Sequence, residues 1–388
     1  MEKILITGAT GFIGSHLAAA FMEDGKDVIA LARRKGRQSG WQRMQNRFHW
    51  FQLNGSANQF GKVIEADISL PQFGLSNEAY RNLLNETSEI IHCAANTSFS
   101  NKVRSSVELA NLEALKHVLK LAHESPVNRF HLVSTAFVCP TGLNACKEEI
   151  VERESFLNVY EETKYKAEKE VKRFCELSGI PWKIYRPSIV YGNSLNGRTF
   201  RFNGLYYPIK TLYLLKKIFA KDLENGGTHS QKLGVYRDVN GSIFFPIELE
   251  TKSHTGINLI PIDYFVEAFL ALFNMENAGR IHHITNPHPS PLELLLDYTS
   301  KYLELTGITT SHNLRKSEDE KNAMEKLFYS YLGEYNHYLT DDRIFDASKT
   351  DQLLRSSDIH CPHFDYPLYK KIIDYAMETN WGKTISLD

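Results

Sequence analysis

Tyr160 and Lys164 stand four residues apart in Val159-Tyr160-Glu161-Glu162-Thr163-Lys164, a stretch with helical patterning. On a helix that spacing puts both side chains on one face. A phenol ordinarily titrates near 10, too high for proton exchange at neutral pH. An ammonium a few ångströms away favours the phenolate and lowers that value by about 1–3, which makes tyrosine a practical proton donor or acceptor. The same spacing recurs at Tyr165 and Lys169. A second chemical feature sits at the start of the chain, where Gly8-Ala9-Thr10-Gly11-Phe12-Ile13-Gly14 follows the apolar run Lys3–Ile6 and opens a helix. Glycines there allow a tight turn and let backbone N–H groups and the helix dipole meet a pyrophosphate.

These features need elements to position them. Short β-branched runs alternate with helical patterns, the sign of a parallel sheet wrapped by helices. Strands are expected at Lys3–Ile6, Asp27–Leu31, Lys62–Ala66, Glu89–His92, Arg129–Ser134, Trp182–Tyr185 and Ile281–Ile284, and helices at Gly14–Asp24, Val103–Glu124, Tyr160–Ser178 and Tyr207–Lys221. The polar, aromatic-spotted segment Gly36–Gly61 reads as a surface excursion, residues 193–256 as loops around one amphipathic helix, and helices should dominate 290–388. The expected fold is α/β, a Rossmann-type doubly wound parallel sheet with a smaller, mainly helical C-terminal substrate domain. Residues 1–192 with 257–286 would bind the dinucleotide, and 193–256 with 287–388 the substrate.

Composition narrows the function classes. Lys+Arg 45 against Asp+Glu 46 over 388 residues gives no polybasic signature for nucleic acid. The apolar stretches Gly204–Ala220 and Ile257–Met275 carry Lys210, Lys216, Lys217, Asp263 and Glu267, which a membrane span would not. Cys93, Cys139, Cys146, Cys175 and Cys361 form no C-x-x-C pair and no zinc spacing, so free thiols in a reducing cytoplasm are expected and no metal site. His282, His283 and His288 form no evident metal set either.

The G-x-x-G-x-x-G spacing, preceded by Thr7, resembles the extended short-chain dehydrogenase/reductases. After the second strand the chain reads Leu31-Ala32-Arg33-Arg34, with guanidinium groups where NAD-preferring sites place an acid. Arginine's planar fork suits a 2′-phosphate, so NADPH is favoured over NAD. Asp67 and Ile68 suit the adenine, and Ala94, Ala95 and Asn96 offer small residues for close approach of the cofactor. The resemblance places a bracing Asn at Asn111, a catalytic hydroxyl at Thr135 with Ser134 as the neighbouring candidate, and the nicotinamide ribose on Lys164. Lys164-Tyr165-Lys166-Ala167-Glu168 is similar to the family's K-x-x-A-E continuation, which favours Tyr160 and Lys164 over the second copy. Tyr185-Arg186-Pro187-Ser188-Ile189-Val190-Tyr191-Gly192 resembles the run in which Pro187, Ser188, Ile189 and Val190 touch the carboxamide end of the cofactor.

Within that family, Gly74–Tyr80, Glu89–Asn96, His131–Val138 and Asn258–Tyr264 look like the thioester reductase and fatty acyl-CoA reductase branch, the male-sterility type. The resemblance implies NADPH-dependent reduction of an acyl thioester, on a carrier protein's phosphopantetheine arm or on coenzyme A, to an aldehyde and in some members onward to an alcohol. Tyr160 and Thr135 would hold the oxyanion, and residues 193–256 with the C-terminal helices would form the acyl tunnel. Rival readings are a nucleotide-sugar epimerase or dehydratase, a ketone or steroid reductase, and a cofactor sensor without catalysis. Cys139, just past Thr135, is expected to pack rather than to carry an acyl group.

Overall fold

The computed structural model of the chain describes residues 3–53, 61–143, 145–251, 256–276, 279–312, 316–385 and 387. Part of the expected Gly36–Gly61 excursion, residues 54–60, and residues 252–255 of the expected substrate region lie outside the described residues.

The N-terminal half alternates strand and helix: β1 (Lys3–Thr7), α1 (Phe12–Glu23), β2 (Asp27–Ala32), α2 (Gly40–Trp50), β3 (Lys62–Glu65), α3 (Asn77–Glu86), β4 (Glu89–His92), α4 (Arg104–Glu108), α5 (Ala114–Glu124), β5 (Arg129–Val133), α6 (Val159–Ser178) and β6 (Trp182–Pro187). Ile4, Leu5, Ile6, Val28, Ile29 and Ala30 are fully or almost fully buried, as continuous apolar runs demand when helices cover both faces of a parallel sheet. The strands stand side by side as β3-β2-β1-β4-β5-β6, and a later strand, Ile281–Ile284, joins β6 in parallel. The order reverses between β1 and β4. In doubly wound sheets the crevice at that reversal, outside the strands' carboxyl ends, is where ligands bind.

Downstream come β7 (Ile189–Tyr191), α7 (Tyr206–Glu224), α8 (Thr228–Lys232), β8 (Tyr236–Arg237), β9 (Ile243–Glu250), β10 (Gly256–Ile257), β11 (Leu259–Pro261), α9 (Ile262–Asn274), β12 (Ile281–Ile284), β13 (Ser290–Pro291), α10 (Leu292–Leu303), β14 (Leu305–Ser311), α11 (Ala323–Leu332), α12 (Ser348–Arg355) and α13 (Tyr366–Glu378). α9 packs Phe265, Phe269 and Phe273 against α1 in the core on one face of the large sheet. A separate apolar core joins α7, β9, α10, β14 and α11.

Three expectations change. The excursion after β2 contains a helix: Ser39 and Gln42 form a reciprocal capping box at the start of α2, whose Met44 and Phe48 enter the main core. The region 193–256 holds a true strand, because Ile243, Phe245, Ile247 and Leu249 alternate with outward residues, and β9 pairs with β8 and β14. Two of the five cysteines are not free: Cys139 and Cys146 form a disulfide, with Cα atoms 6.0 Å apart. The chain after β5 folds back so that Cys146 pairs with the Ile344–Asp346 backbone, which brings the two sulfurs together. Cys93, Cys175 and Cys361 are thiols, as expected. Among the described residues no helix is long and apolar enough to cross a membrane.

Candidate active site

The glycine turn lies where β1 and β4 diverge. Gly8 adopts φ +70°, and a Cβ there would meet the Ala94 backbone nitrogen at 2.6 Å. A Cβ on Gly14 would meet the Gly8 carbonyl oxygen at 2.4 Å. Both positions therefore require glycine if the turn is to stay against β4 and α1 against the turn. Gly11 caps α1, its N–H bonded to the Gly8 carbonyl at 2.8 Å. Thr10 adds its own carbonyl, which accepts from Arg47 Nε at 2.9 Å. Beneath the turn, the Thr7 hydroxyl and His92 Nδ1 lie 2.8 Å apart, and burial pushes the imidazole down to about 3, so it is neutral. A cradle of backbone that side chains would fill, opening on a helix N-terminus, fits a dinucleotide's phosphates.

At the end of β2, Arg33 is exposed, while the Arg34 guanidinium pairs with Glu65 at 3.1 Å. β2 and β3 bring Ala32 level with Glu65, whose second oxygen accepts from the Gly40 N–H at 2.7 Å. A carboxylate thus stands beside this corner after all, supplied by β3 rather than β2, and it is already engaged. Asp67 turns one oxygen to the N–H and hydroxyl of Ser69, and the Ile68 carbonyl bonds His117 Nδ1 at 2.9 Å. Ala94, Ala95 and Asn96 leave β4 as a loop. Asn111 accepts from the Asn96 N–H (2.7 Å) and donates to Thr163 of α6 (2.9 Å). It sits in a π-helical turn, Leu109–Glu113, between α4 and α5. The helix expected over Val103–Glu124 runs unbroken over Arg104–Glu124 and bulges there, at the residue that ties β4's exit to α6.

A cavity of about 380 Å³ joins this crevice to the C-terminal region. Gly8, Gly11, Phe12, Ile13 and Gly14 line one end. Ser134, Thr135, Tyr160, Pro187, Ser188, Ile189 and Val190 line its middle. Tyr160 opens α6 and Thr135 follows β5, which brings both side chains to the cavity wall, where the Thr135 hydroxyl donates to the Pro187 carbonyl at 3.5 Å and accepts from the Phe137 N–H at 3.3 Å. Lys164, one turn along α6, is buried and donates to the Val133 carbonyl at 2.6 Å. Burial pushes the Tyr160 phenol up to about 12, with Glu161 adding to the rise and Thr135 opposing it. Burial likewise pushes the Lys164 ammonium down to about 8. The expected depression of the phenol is therefore not found. Both groups lose water, and that loss is the first cause of each shift. The phenol stands protonated, as a donor. The Ser134 and Ser188 hydroxyls are buried, line the cavity and have no hydrogen-bond partner among the described residues.

Several supporting residues have roles that the sequence analysis did not assign. Glu168, from the K-x-x-A-E run, forms a fully buried two-bond ion pair with Arg186 at 2.7 and 3.0 Å, which locks α6 to β6. Glu161, beside Tyr160, is also fully buried. It pairs with Arg343 at 3.0 Å, lies 3.5 Å from Arg153, and accepts from the Tyr338 hydroxyl at 2.8 Å. Arg343 also donates to the carbonyls of Phe137 and Cys139, and Arg153 to those of Val138 and Cys139. The loop carrying Thr135 is thereby held by two guanidinium groups and by the disulfide. Phe99 packs against the rings of Tyr160, Tyr335 and Tyr338, with centroids 5.9, 5.1 and 5.2 Å away. The second Tyr/Lys pair lies elsewhere: the Tyr165 hydroxyl and the Lys169 amine both bond Glu152 near the surface.

The far limb of the cavity runs between α7, β9, α10 and α11. Of the Gly204–Ala220 segment, Ile209 and Leu212 face it, while Leu214 and Ile218 are exposed.

Comparison with known proteins matches this arrangement. An NAD-binding family model described as male sterility protein matches residues 6–269. A component of the linear gramicidin synthase of Brevibacillus parabrevis is 24% identical over 97% of the chain, yet the aligned region is only 7% of that protein's length. The crystal structure of the terminal R domain from the myxalamid PKS-NRPS biosynthetic pathway superposes with a TM-score of 0.76 at 21% identity, covering 99% of this chain and 92% of that one. A thiolation-reductase di-domain from an archaeal non-ribosomal peptide synthetase gives 0.72 at 17% identity, covering 98% of this chain and 76% of that one. The fold is thus the α/β, Rossmann-like one expected.

Proposed function

The chain belongs to the male sterility protein family of NAD-binding domains, and from that premise we propose that it reduces an acyl thioester to an aldehyde with NADPH. One observation carries the reading. Tyr160 and Thr135 line one cavity together with a dinucleotide cradle and an apolar limb. When bound, the nicotinamide cofactor supplies the hydride. Gly8, Gly11 and Gly14 would hold its phosphates, Asp67 and Ile68 its adenine, and Pro187 to Val190 with Lys164 its nicotinamide riboside. Residues 1–192 with 257–286 serve the cofactor in this reading, and 193–256 with 287–388 the acyl group.

The protein's own groups do the rest. Tyr160 and Thr135 donate to the thioester oxygen as charge develops there, a two-donor oxyanion site. The neutral phenol gives up its proton to that oxygen, and the resulting hemithioacetal collapses with loss of thiol. Relatives named as a linear gramicidin synthase and a thiolation-reductase di-domain support a carrier-bound substrate, with coenzyme A as the alternative thiol. The apolar limb disfavours a nucleotide-sugar epimerase, whose substrate would leave its hydroxyls unpaired there.

Incubation with NADPH and a panel of acyl-carrier and acyl-CoA thioesters tests the proposal. Aldehyde and free thiol should appear in equal amounts, and absence of thiol from every member would refute it. NADPH should outperform NADH, and Arg33→Ala should narrow the difference about tenfold, the scale of one lost charged hydrogen bond. An unchanged preference would remove Arg33 from the phosphate site.

A further inference from the structure

The thioester reading leaves open what the acyl group is, and the far limb of the cavity bears on that. Its lining there is Leu212 of α7, Leu249 of β9, Ile257 of β10, Leu292 and Leu296 of α10 and Phe328 of α11. Two polar groups of the cavity lining are already committed. The Thr299 hydroxyl donates to the Leu295 carbonyl at 2.7 Å and accepts from Tyr369 at 2.9 Å. The Tyr338 hydroxyl donates to Glu161 at 2.8 Å. Among the described lining residues Arg201 is the one charged side chain, and it is exposed. A peptidyl or hydroxylated acyl group would bring amides or hydroxyls against six apolar side chains that cannot satisfy them, at the cost of their desolvation. A plain hydrocarbon chain carries no such penalty and gains with every methylene buried.

The limb also has a wall. Leu249, Leu296 and Phe328 belong to the C-terminal core together with Met324 and Leu332. Phe328 is 1% exposed, so its ring is held from behind and cannot swing away without disturbing that core.

We infer that the site selects an aliphatic acyl chain and that Phe328, with Leu296, sets the longest chain accepted. The inference rests on the thioester reading and supplies the substrate class that reading lacks.

The test uses the full chain, NADPH and straight-chain acyl-CoA thioesters from acetyl to myristoyl, with thiol and aldehyde measured together. kcat/KM should climb about fourfold per methylene while the chain fills the limb, then fall once it meets the wall. Phe328→Leu should move the maximum to longer chains and Leu296→Phe to shorter ones. A flat response to chain length, or a maximum that stays in place in both variants, overturns the inference. Calorimetry with straight-chain alkanols reads the limb without the chemistry. Binding that strengthens with length and carries a negative heat-capacity change is expected, and Leu296→Phe should weaken the longer alkanols selectively. Alkanol binding of that kind without thiol release from any thioester would uphold the aliphatic limb and refute the thioester reading. Thiol release without chain-length dependence would do the reverse.

Discussion

α6 carries the same Tyr-x-x-x-Lys spacing twice, five residues apart, and the two copies have opposite surroundings. Tyr160 lines the cavity with Thr135, while Lys164 is buried on the Val133 carbonyl. Tyr165 and Lys169 share Glu152 at the surface, and Glu152 is 77% exposed. Five residues turn a helix by about 500°, so the second copy looks out roughly 140° away from the first. The spacing can place a phenol and an amine together anywhere on any helix. What separates the pairs is what each faces: a hydroxyl just past β5 stands beside the first, and a surface glutamate with the Phe156 ring beside the second.

Exchanging one atom at a time tests that contrast. Tyr160→Phe should cost about 10³-fold in turnover, within the range for a positioned proton donor, with cofactor affinity almost unchanged by titration. Retained activity would shift the chemistry away from the first copy. Thr135→Ala should cost about 10²-fold in kcat, the loss of one oxyanion donor, with little change in KM. The third effect is on pH. The Lys164 ammonium, pushed down to about 8, loses its charge above that value, so kcat/KM should decline there, and Lys164→Arg should carry the decline beyond about pH 10. Stability should move the other way. Between pH 8 and 10.5 the unfolded lysine keeps a proton that the folded one has lost, so wild type should gain stability relative to Lys164→Met as pH rises through that window. Denaturant titration at several pH values measures it. Tyr165→Phe is the smallest change: activity within about twofold and stability within about 0.5 kcal/mol. A large loss there would erase the distinction between the two copies.

The half of the fold built from βα units was legible because each unit announces itself locally, an apolar run followed by a turn and a helical stripe. The glycine cradle was legible for the same reason, since Gly8, Gly11 and Gly14 act within one turn. β9 was missed although its alternation is regular, because Pro246 interrupts the pattern and a proline normally argues against a strand. α2 was missed although Ser39 and Gln42 form a capping box, since the rest of the segment is polar and its arginines suggest solvent. In fact Arg43 and Arg47 are buried. Glu161 was out of reach altogether. As one of two adjacent glutamates at a helix start it reads as a solvated charge, and its partner Arg343 is 182 residues away. The lowering of the phenol's proton affinity failed for a related reason, because helical spacing gives direction but says nothing about how much water two groups surrender.

The bond between Glu161 and Arg343 has a practical side for anyone recombining such catalysts. Every residue assigned to the chemistry precedes position 193, which invites grafting the N-terminal half onto a foreign acyl-binding portion. Such a chimera would leave the carboxylate buried next to the tyrosine with Arg153 alone, 3.5 Å away, at a cost of up to about 3–5 kcal/mol for a broken buried ion pair, a large share of a domain's whole stability. The carbonyls of Phe137 and Cys139 would lose a donor at the same stroke. Exchange points should therefore keep α6 and the strip Tyr338–Arg343 from the same parent, and altered selectivity is better sought by replacing side chains than by splicing halves.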